Sequence, residues 1–130
     1  MANDQLKAYQ TAQRGHMSPR EVEAMAFTRA ALMLEEAKSK TNDLESFAKA
    51  LRFNSLLWTI IQADITEAAN QLPAELKANI MSLSIFIDKQ TAKALRAPNP
   101  EDLEILITVN RNLAAGLRTN SAEQAAAAAG

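Results

Sequence analysis

The side chains best suited to metal or nucleophilic chemistry are scarce in this chain of 130 residues. It has no cysteine and one histidine, His16, so the chain supplies no thiolate, no Cys nucleophile and no pair of histidine ligands. The glycines at 15, 116 and 130 are too far apart for a phosphate-binding loop. We interpret His16 as a solvated turn residue and expect a protein that is not an enzyme and carries no cofactor or metal.

Carboxylates are numerous, but their positions do not indicate catalysis. Most lie near predicted helix starts or on polar faces, where the helix dipole and solvent account for them. They are Glu21, Glu23, Glu35, Glu36, Glu101, Asp102 and Glu104.

Seven cations are predicted to gather at one pole if the helices alternate in direction. They are Lys38, Lys40, Lys49, Arg52, Lys89, Lys93 and Arg96. Cations are favourable at helix C-termini, and the acidic residues that begin the last helix would lower the potential there. Since no aromatic residue is interleaved to stack on bases, solvent exposure is the favoured interpretation and RNA binding the alternative.

Three amides are predicted to be buried along the apolar stripes: Asn54, Asn79 and Asn110. An unpaired buried amide costs about 1–3 kcal/mol, so each is expected to have a partner. The favoured interpretation is a polar bond between helices that fixes register. The alternative is a bond to the backbone of a bound helix. Trp58 is similarly interpreted as a core residue first and an interface residue second.

Apolar spacing and start signals indicate the elements that position these residues. Leu44 to Ile65 is apolar around much of its circumference and is predicted to be the central helix. Ser18-Pro19 begins the helix before it, which runs to about Ser39, and Leu72-Pro73 begins the helix after it. Asn99-Pro100 begins the last helix, whose predicted end is Gly116 to Arg118.

We therefore predict an all-α fold, an antiparallel bundle of four long helices plus a short N-terminal helix over Asp4 to Arg14. Residues 1–118 would form one domain and residues 119–130 a low-complexity, disordered tail. Net charge is −1 and the N-terminus lacks the apolar core of a signal peptide, so a cytoplasmic location is expected.

An ordered set of segments resembles the FlaF family, a flagellar biosynthesis regulator of alphaproteobacteria. The segments are Ala8-Tyr9, Ser18-Pro19-Arg20-Glu21, Ala50 to Trp58 (ALRFNSLLW), Leu72-Pro73, Asn79-Ile80, Leu83, Phe86-Ile87, Lys89-Gln90-Thr91 and Ile107 to Arg118 (ITVNRNLAAGLR). The resemblance covers about residues 5 to 118 and has no catalytic residues to carry over.

The resemblance implies a cytoplasmic protein needed for flagellin synthesis or export, acting alongside the regulator FlbT. A near-neutral helical domain suits binding of a flagellin terminal helix, more so the C-terminal one, in an apolar groove. The alternative is a post-transcriptional regulator acting through flagellin mRNA or FlbT. A structural filament component is disfavoured because the long heptads of a rod are missing. No membrane or small-molecule partner is expected.

Surplus apolar positions and the amides are the candidate partner-binding residues, with Tyr9 and the short N-terminal helix as a movable cover. The set is Tyr9, Asn54, Leu57, Trp58, Ile60, Asn79, Ile85, Phe86, Asn110 and Arg111.

Overall fold

The computed structural model describes residues 18–40 and 42–129, with side chains through Thr119. Four helices follow one another: α1 (Pro19–Ser39), α2 (Leu44–Thr66), α3 (Ala74–Arg96) and α4 (Pro100–Ala129). Within these ranges the chain has no strand, so the all-α prediction is confirmed. The short N-terminal helix predicted over Asp4 to Arg14 lies outside the described residues.

Helix starts follow the predicted signals closely. The Ser18 side chain accepts from the Glu21 backbone N–H at 3.2 Å, and Pro19 occupies the first turn, where a missing N–H costs little. Asp43 caps α2 by accepting from the Ser46 backbone N–H at 3.1 Å. At α4, Asn99 Oδ1 accepts from the Glu101 backbone N–H at 3.0 Å.

Helices that are neighbours in sequence pack antiparallel, and α1 and α4 pack most closely of all. Lys38 at the end of α1 pairs with Glu104 at the start of α4. At the middle of α1, Thr28 Oγ1 accepts from Arg118 Nη2, further along α4, at 2.9 Å. The buried face of α1 allows this close approach because five of its residues, Ala24, Ala26, Ala30, Ala31 and Ala37, are alanine.

The core lies between the four helices and draws on all of them. Trp58 of α2 is its largest member and meets Phe27 of α1 edge-on, with ring centroids 5.4 Å apart. Ile80 and Ile87 of α3 and Leu106 of α4 are also fully buried. The closest helix pair is α1 with α4, and Leu56 and Ile60 of α2 stay exposed, so the central position predicted for α2 is not confirmed.

One helix boundary was predicted wrongly. The backbone of α4 stays helical to Ala129, whereas the sequence analysis ended it at Gly116 to Arg118. Gly116 continues the helix without a left-handed conformation, so it is not a helix terminator here. The domain boundary at residue 118 stays a prediction. Within the described ranges, no helix is both long enough and apolar enough to cross a bilayer.

Candidate functional site

A buried polar network links α2 and α4 across the interior of the bundle. Trp58 Nε1 donates to Asn110 Oδ1 at 2.9 Å, and Asn110 Nδ2 donates to Asn54 Oδ1 at 2.6 Å. All three side chains are fully or almost fully buried. The predicted hydrogen bond between helices is therefore confirmed for Asn54 and Asn110. In this arrangement a partner reaches these atoms only if helices separate.

The third amide behaves differently from the prediction. Asn79 is exposed on α3, so the expectation that it is buried was wrong. Ile80, the next residue, points into the core. One step along a helix rotates a side chain by about 100°, which carries Asn79 off the buried face.

A groove between α1 and α2 has a volume of about 460 Å³. Its α1 wall includes Val22, Ala26 and Phe27, and its α2 wall includes Leu57 and Ile60. Leu57 is 7% exposed and Ile60 is 41% exposed. Two of the predicted partner-binding residues therefore share one surface, one of them at its base and one at its rim. We call this surface the α1–α2 groove.

Charged residues occupy one end of the α1–α2 groove. Arg20 Nη1 lies 2.5 Å from Glu23 Oε1 and 3.4 Å from Asp64 Oδ2, so one guanidinium serves two carboxylates. Asp64 also accepts from Asn70 Nδ2 at 3.0 Å, and Glu67 completes this end. The groove thus combines apolar walls with an acidic end.

Glu23 is the most perturbed titratable group of the groove. Burial raises the pKa of Glu23 to about 7, against the opposing effect of Arg20. Its Oε2 atom is buried and has no hydrogen-bond partner among the described residues. Glu23 lies near the start of α1, as predicted for most of the carboxylates, but its side chain is largely buried instead of solvated. Its spacing, three and four residues before Ala26 and Phe27, is the signal that predicts partial burial.

The remaining predicted residues lie elsewhere. Ile85 and Phe86 are 55% and 41% exposed on α3, which contributes nothing to the α1–α2 groove. Arg111 Nη2 of α4 pairs with Glu35 Oε2 of α1 at 2.6 Å, on the surface of the closest helix pair. Tyr9 lies outside the described residues. The predicted set therefore does not form one continuous surface.

The pole where α1 and α3 end contains mixed charges. Lys38 pairs with Glu104, and Lys93 Nζ lies 3.4 Å from Asp102 Oδ1. Asp102 is buried and also accepts from Gln90 Nε2 at 3.2 Å. These contacts agree with the expectation that the acidic start of the last helix lowers the positive potential at this pole.

Among residues 18–40 and 42–129, no group of three or more His, Asp or Glu side chains could hold a metal ion. What the described surface offers is an apolar groove with an acidic end, together with a buried network that ties two helices together. Apolar walls of this kind can receive the apolar side chains of a chain segment.

Comparison with known proteins identifies one family. The family model described as "Flagellar protein FlaF" matches residues 5–117. No curated protein and no solved structure matches significantly. The match extends from the segment before α1 into the second half of α4 and includes every residue that lines the α1–α2 groove. Since the match covers most of the chain, the protein belongs to the FlaF family of flagellar proteins.

Proposed function

We propose that this protein is a flagellin-binding chaperone and export adaptor, without catalytic activity or cofactor, that acts in the cytoplasm before export. It holds an amphipathic terminal helix of flagellin, the C-terminal one in preference, in the α1–α2 groove. The observation that carries the proposal is the half-exposed Ile60 at the rim of an apolar groove in a protein of a flagellar family.

The exposed face of α2 that includes Ile60, at the rim of the groove, and Leu56, outside the groove lining, has the spacing that receives a helix. Leu56 and Ile60 are exposed at 46% and 41% and lie four residues apart, so they share one face of α2. Phe53, partly buried, lies three residues before Leu56 and packs against the core. An amphipathic helix inserts apolar side chains into a groove at the same three-and-four spacing. A four-turn helix laid here would bury on the order of 1,200 Å² in total.

The alternative function is post-transcriptional control through flagellin mRNA or FlbT. The ion pairs at the basic pole favour protein over RNA as the partner, because Lys38 and Lys93 already have carboxylate partners. For FlbT, the candidate surface is the exposed pair Ile85 and Phe86 on α3, outside the α1–α2 groove.

Calorimetry with purified flagellin tests the proposal. We expect Ile60→Asp to weaken flagellin binding by at least about tenfold, since a charge would be buried against an apolar helix. The matched control is Ile85→Asp, a similarly exposed isoleucine outside the groove, which should bind like the unchanged protein.

Flagellin that lacks its C-terminal helix provides the second arm. Loss of binding supports the proposed site, and full binding would assign the contact to another part of flagellin. If intact flagellin does not bind at all while flagellin mRNA or FlbT does, the regulatory function replaces the chaperone.

A further inference from the structure

The α1–α2 groove lies at the point where seventeen residues of the same chain join the bundle. Ser18 caps α1, and Pro19 and Arg20, the next two residues, line the groove. The segment 1–17 is therefore joined to the bundle next to the groove. No other part of the chain outside the described helices is both tethered at this position and of comparable length.

The segment is long enough to fill the groove. From Asp64 to Leu57 the α2 wall spans seven residues, which is about 10 Å of helix. The eleven residues from Asp4 to Arg14, the predicted short helix, would span about 16 Å in helical form. Gly15 follows them and permits the reversal of direction that such a return requires.

The charges of the segment complement those of the groove. The lining of the groove holds the carboxylates of Asp64 and Glu67, the carboxyl group of Glu23, which a pKa of about 7 leaves only partly charged at neutral pH, and one cation, Arg20. Segment 1–17 holds two cations, Lys7 and Arg14, and one carboxylate, Asp4. A cation delivered by the segment would meet an acidic end where Arg20 is already shared between two carboxylates.

The apolar side chains also correspond. Leu6 and Tyr9 are three residues apart, so a helix would present them on one face. Leu56 and Ile60 offer a matching exposed pair on α2. Covering exposed aliphatic groups with an intramolecular segment is favourable because a tether raises the effective concentration to the millimolar range.

We propose that residues 1–17 occupy the α1–α2 groove of the same molecule in the free protein, and that a bound partner helix displaces them. That residues 1–17 occupy the groove in the free protein does not depend on which partner binds there. The displacement rests on the proposed function.

Disulfide trapping in the full-length chain tests the occupancy, since the natural sequence has no cysteine to interfere. One variant carries Gln10→Cys with Ile60→Cys, which leaves Leu6 and Tyr9 in place. The control carries Gln10→Cys with Ile85→Cys. Ile85 is similarly exposed and lies at a similar height in the bundle, because Gln62 of α2 contacts Met81 of α3.

We expect the Ile60 pair to form an intramolecular disulfide at least about tenfold faster than the Ile85 pair, because the tethered segment is concentrated at the groove. Equal rates would show that the segment has no preference for the groove and would overturn the proposal. Disulfide-linked dimers as the main product would assign the groove to the segment of a second copy and would also overturn it. Circular dichroism before oxidation confirms that both variants are folded.

Two further substitutions, each added to the Gln10→Cys, Ile60→Cys variant, test the individual contacts. Tyr9→Asp and Glu67→Lys should each slow the disulfide several-fold, the first through lost apolar contact and the second through lost attraction. Asp88→Lys, a charge reversal at an exposed position of α3, is the control and should leave the rate unchanged. Unchanged rates with both Tyr9→Asp and Glu67→Lys would contradict the proposed mode of binding.

Flagellin is then added to separate this inference from the proposed function. A slower disulfide in the Ile60 pair supports displacement from a shared groove. A fast disulfide in free protein with no effect of bound flagellin would keep the occupancy and reject the shared site. A slow disulfide in free protein, together with the expected loss of flagellin binding in the separate Ile60→Asp variant, would reject the occupancy alone.

Discussion

Asn110 makes two side-chain hydrogen bonds in the buried network of Asn54, Trp58 and Asn110, whereas each of the other two residues makes one. It accepts from Trp58 Nε1 and donates to Asn54 Oδ1. Asn54 makes one of these bonds, and its Nδ2 has no partner among the described residues. An amide that joins two helices in one relative position limits the number of registers they can adopt.

Asn110→Ala should therefore destabilise the protein by about 3 kcal/mol, because it leaves both the indole N–H and the Asn54 carbonyl unpaired in the core. Asn54→Ala should cost about half as much, since a single bond is lost and an already unpaired N–H is removed with it. Urea unfolding followed by Trp58 fluorescence measures both. Equal losses for the two variants would contradict the unequal roles assigned here.

Glu23 makes the stability of the protein depend on pH. The ordinary pKa of a glutamate is 4.5, and burial raises the pKa of Glu23 to about 7. The folded state therefore binds the proton more tightly than the unfolded state between these values. The free energy of unfolding from this group is highest below pH 4.5 and falls as the pH rises towards 7.

Glu23→Gln should remove that dependence. The variant and the unchanged protein should have similar stability near pH 4.5. At pH 8 the variant should be more stable, by up to about 3 kcal/mol. Thermal unfolding at the two pH values measures the difference, and Glu36→Gln, an exposed glutamate of the same helix, is the control. A constant difference across pH would show that Glu23 titrates as in the unfolded chain.

At the scale of the element, α4 carries a glycine within its length that packing does not require. A Cβ added at Gly116 would meet nothing within 4 Å, and its backbone φ is not positive. Glycine in a helix interior is less favourable than alanine by about 0.8–1.0 kcal/mol because its unfolded state is more flexible.

Gly116→Ala should therefore raise the free energy of unfolding by about 0.5–1 kcal/mol without changing the fold. Urea unfolding is the measurement, with Ala115→Gly as the reverse control, expected to lose a similar amount at an exposed position. Loss of stability in Gly116→Ala would mean that α4 does not continue as a helix through this position. Flagellin binding measured on the same variant shows whether a partner requires the open space beside Gly116.

The same glycine explains the error in the predicted helix end. Gly116 to Arg118 has the composition of a helix terminus, and Gly is the preferred residue just past a helix. That preference depends on a left-handed backbone, which α4 does not adopt at Gly116. The starts of α1 and α2 were predicted correctly because Ser18 and Asp43 bond to the backbone N–H groups within their own first turn.

At the scale of the whole molecule, the distribution of charge separates the two proposed functions. The exposed cations Arg52 and Lys89 lie on α2 and α3, outside the α1–α2 groove. A flagellin helix in that groove would not touch them. An RNA backbone would need several such cations together, and its affinity would fall steeply with salt.

Arg52→Gln combined with Lys89→Gln should change flagellin affinity less than about threefold, because charges outside the interface contribute little at physiological salt. Calorimetry at two salt concentrations measures the flagellin affinity, and the groove variant Ile60→Asp is the positive control. Retained flagellin binding with lost control of flagellin levels in cells would favour the regulatory function.

Local chemistry allowed the sequence alone to determine the helical class and, to within two residues, the starts of the four helices. Each of these depends on residues within about one turn of one another or on the three-and-four period of a single helix. The ordered segments from Ala8-Tyr9 to Arg118 also identified the family, which the match over residues 5–117 confirmed. The absence of cysteine was likewise readable without coordinates.

Only the tertiary structure decided which apolar and polar side chains share a surface. Leu57 and Ile60 meet Val22 and Phe27 across two helices, whereas Ile85 lies apart from them on α3. The burial of Glu23 and the bond from Asn110 to Asn54 depend on which helix faces which, over separations of tens of residues. A periodic pattern states that a face is buried, but the packing of neighbouring helices determines what that face touches.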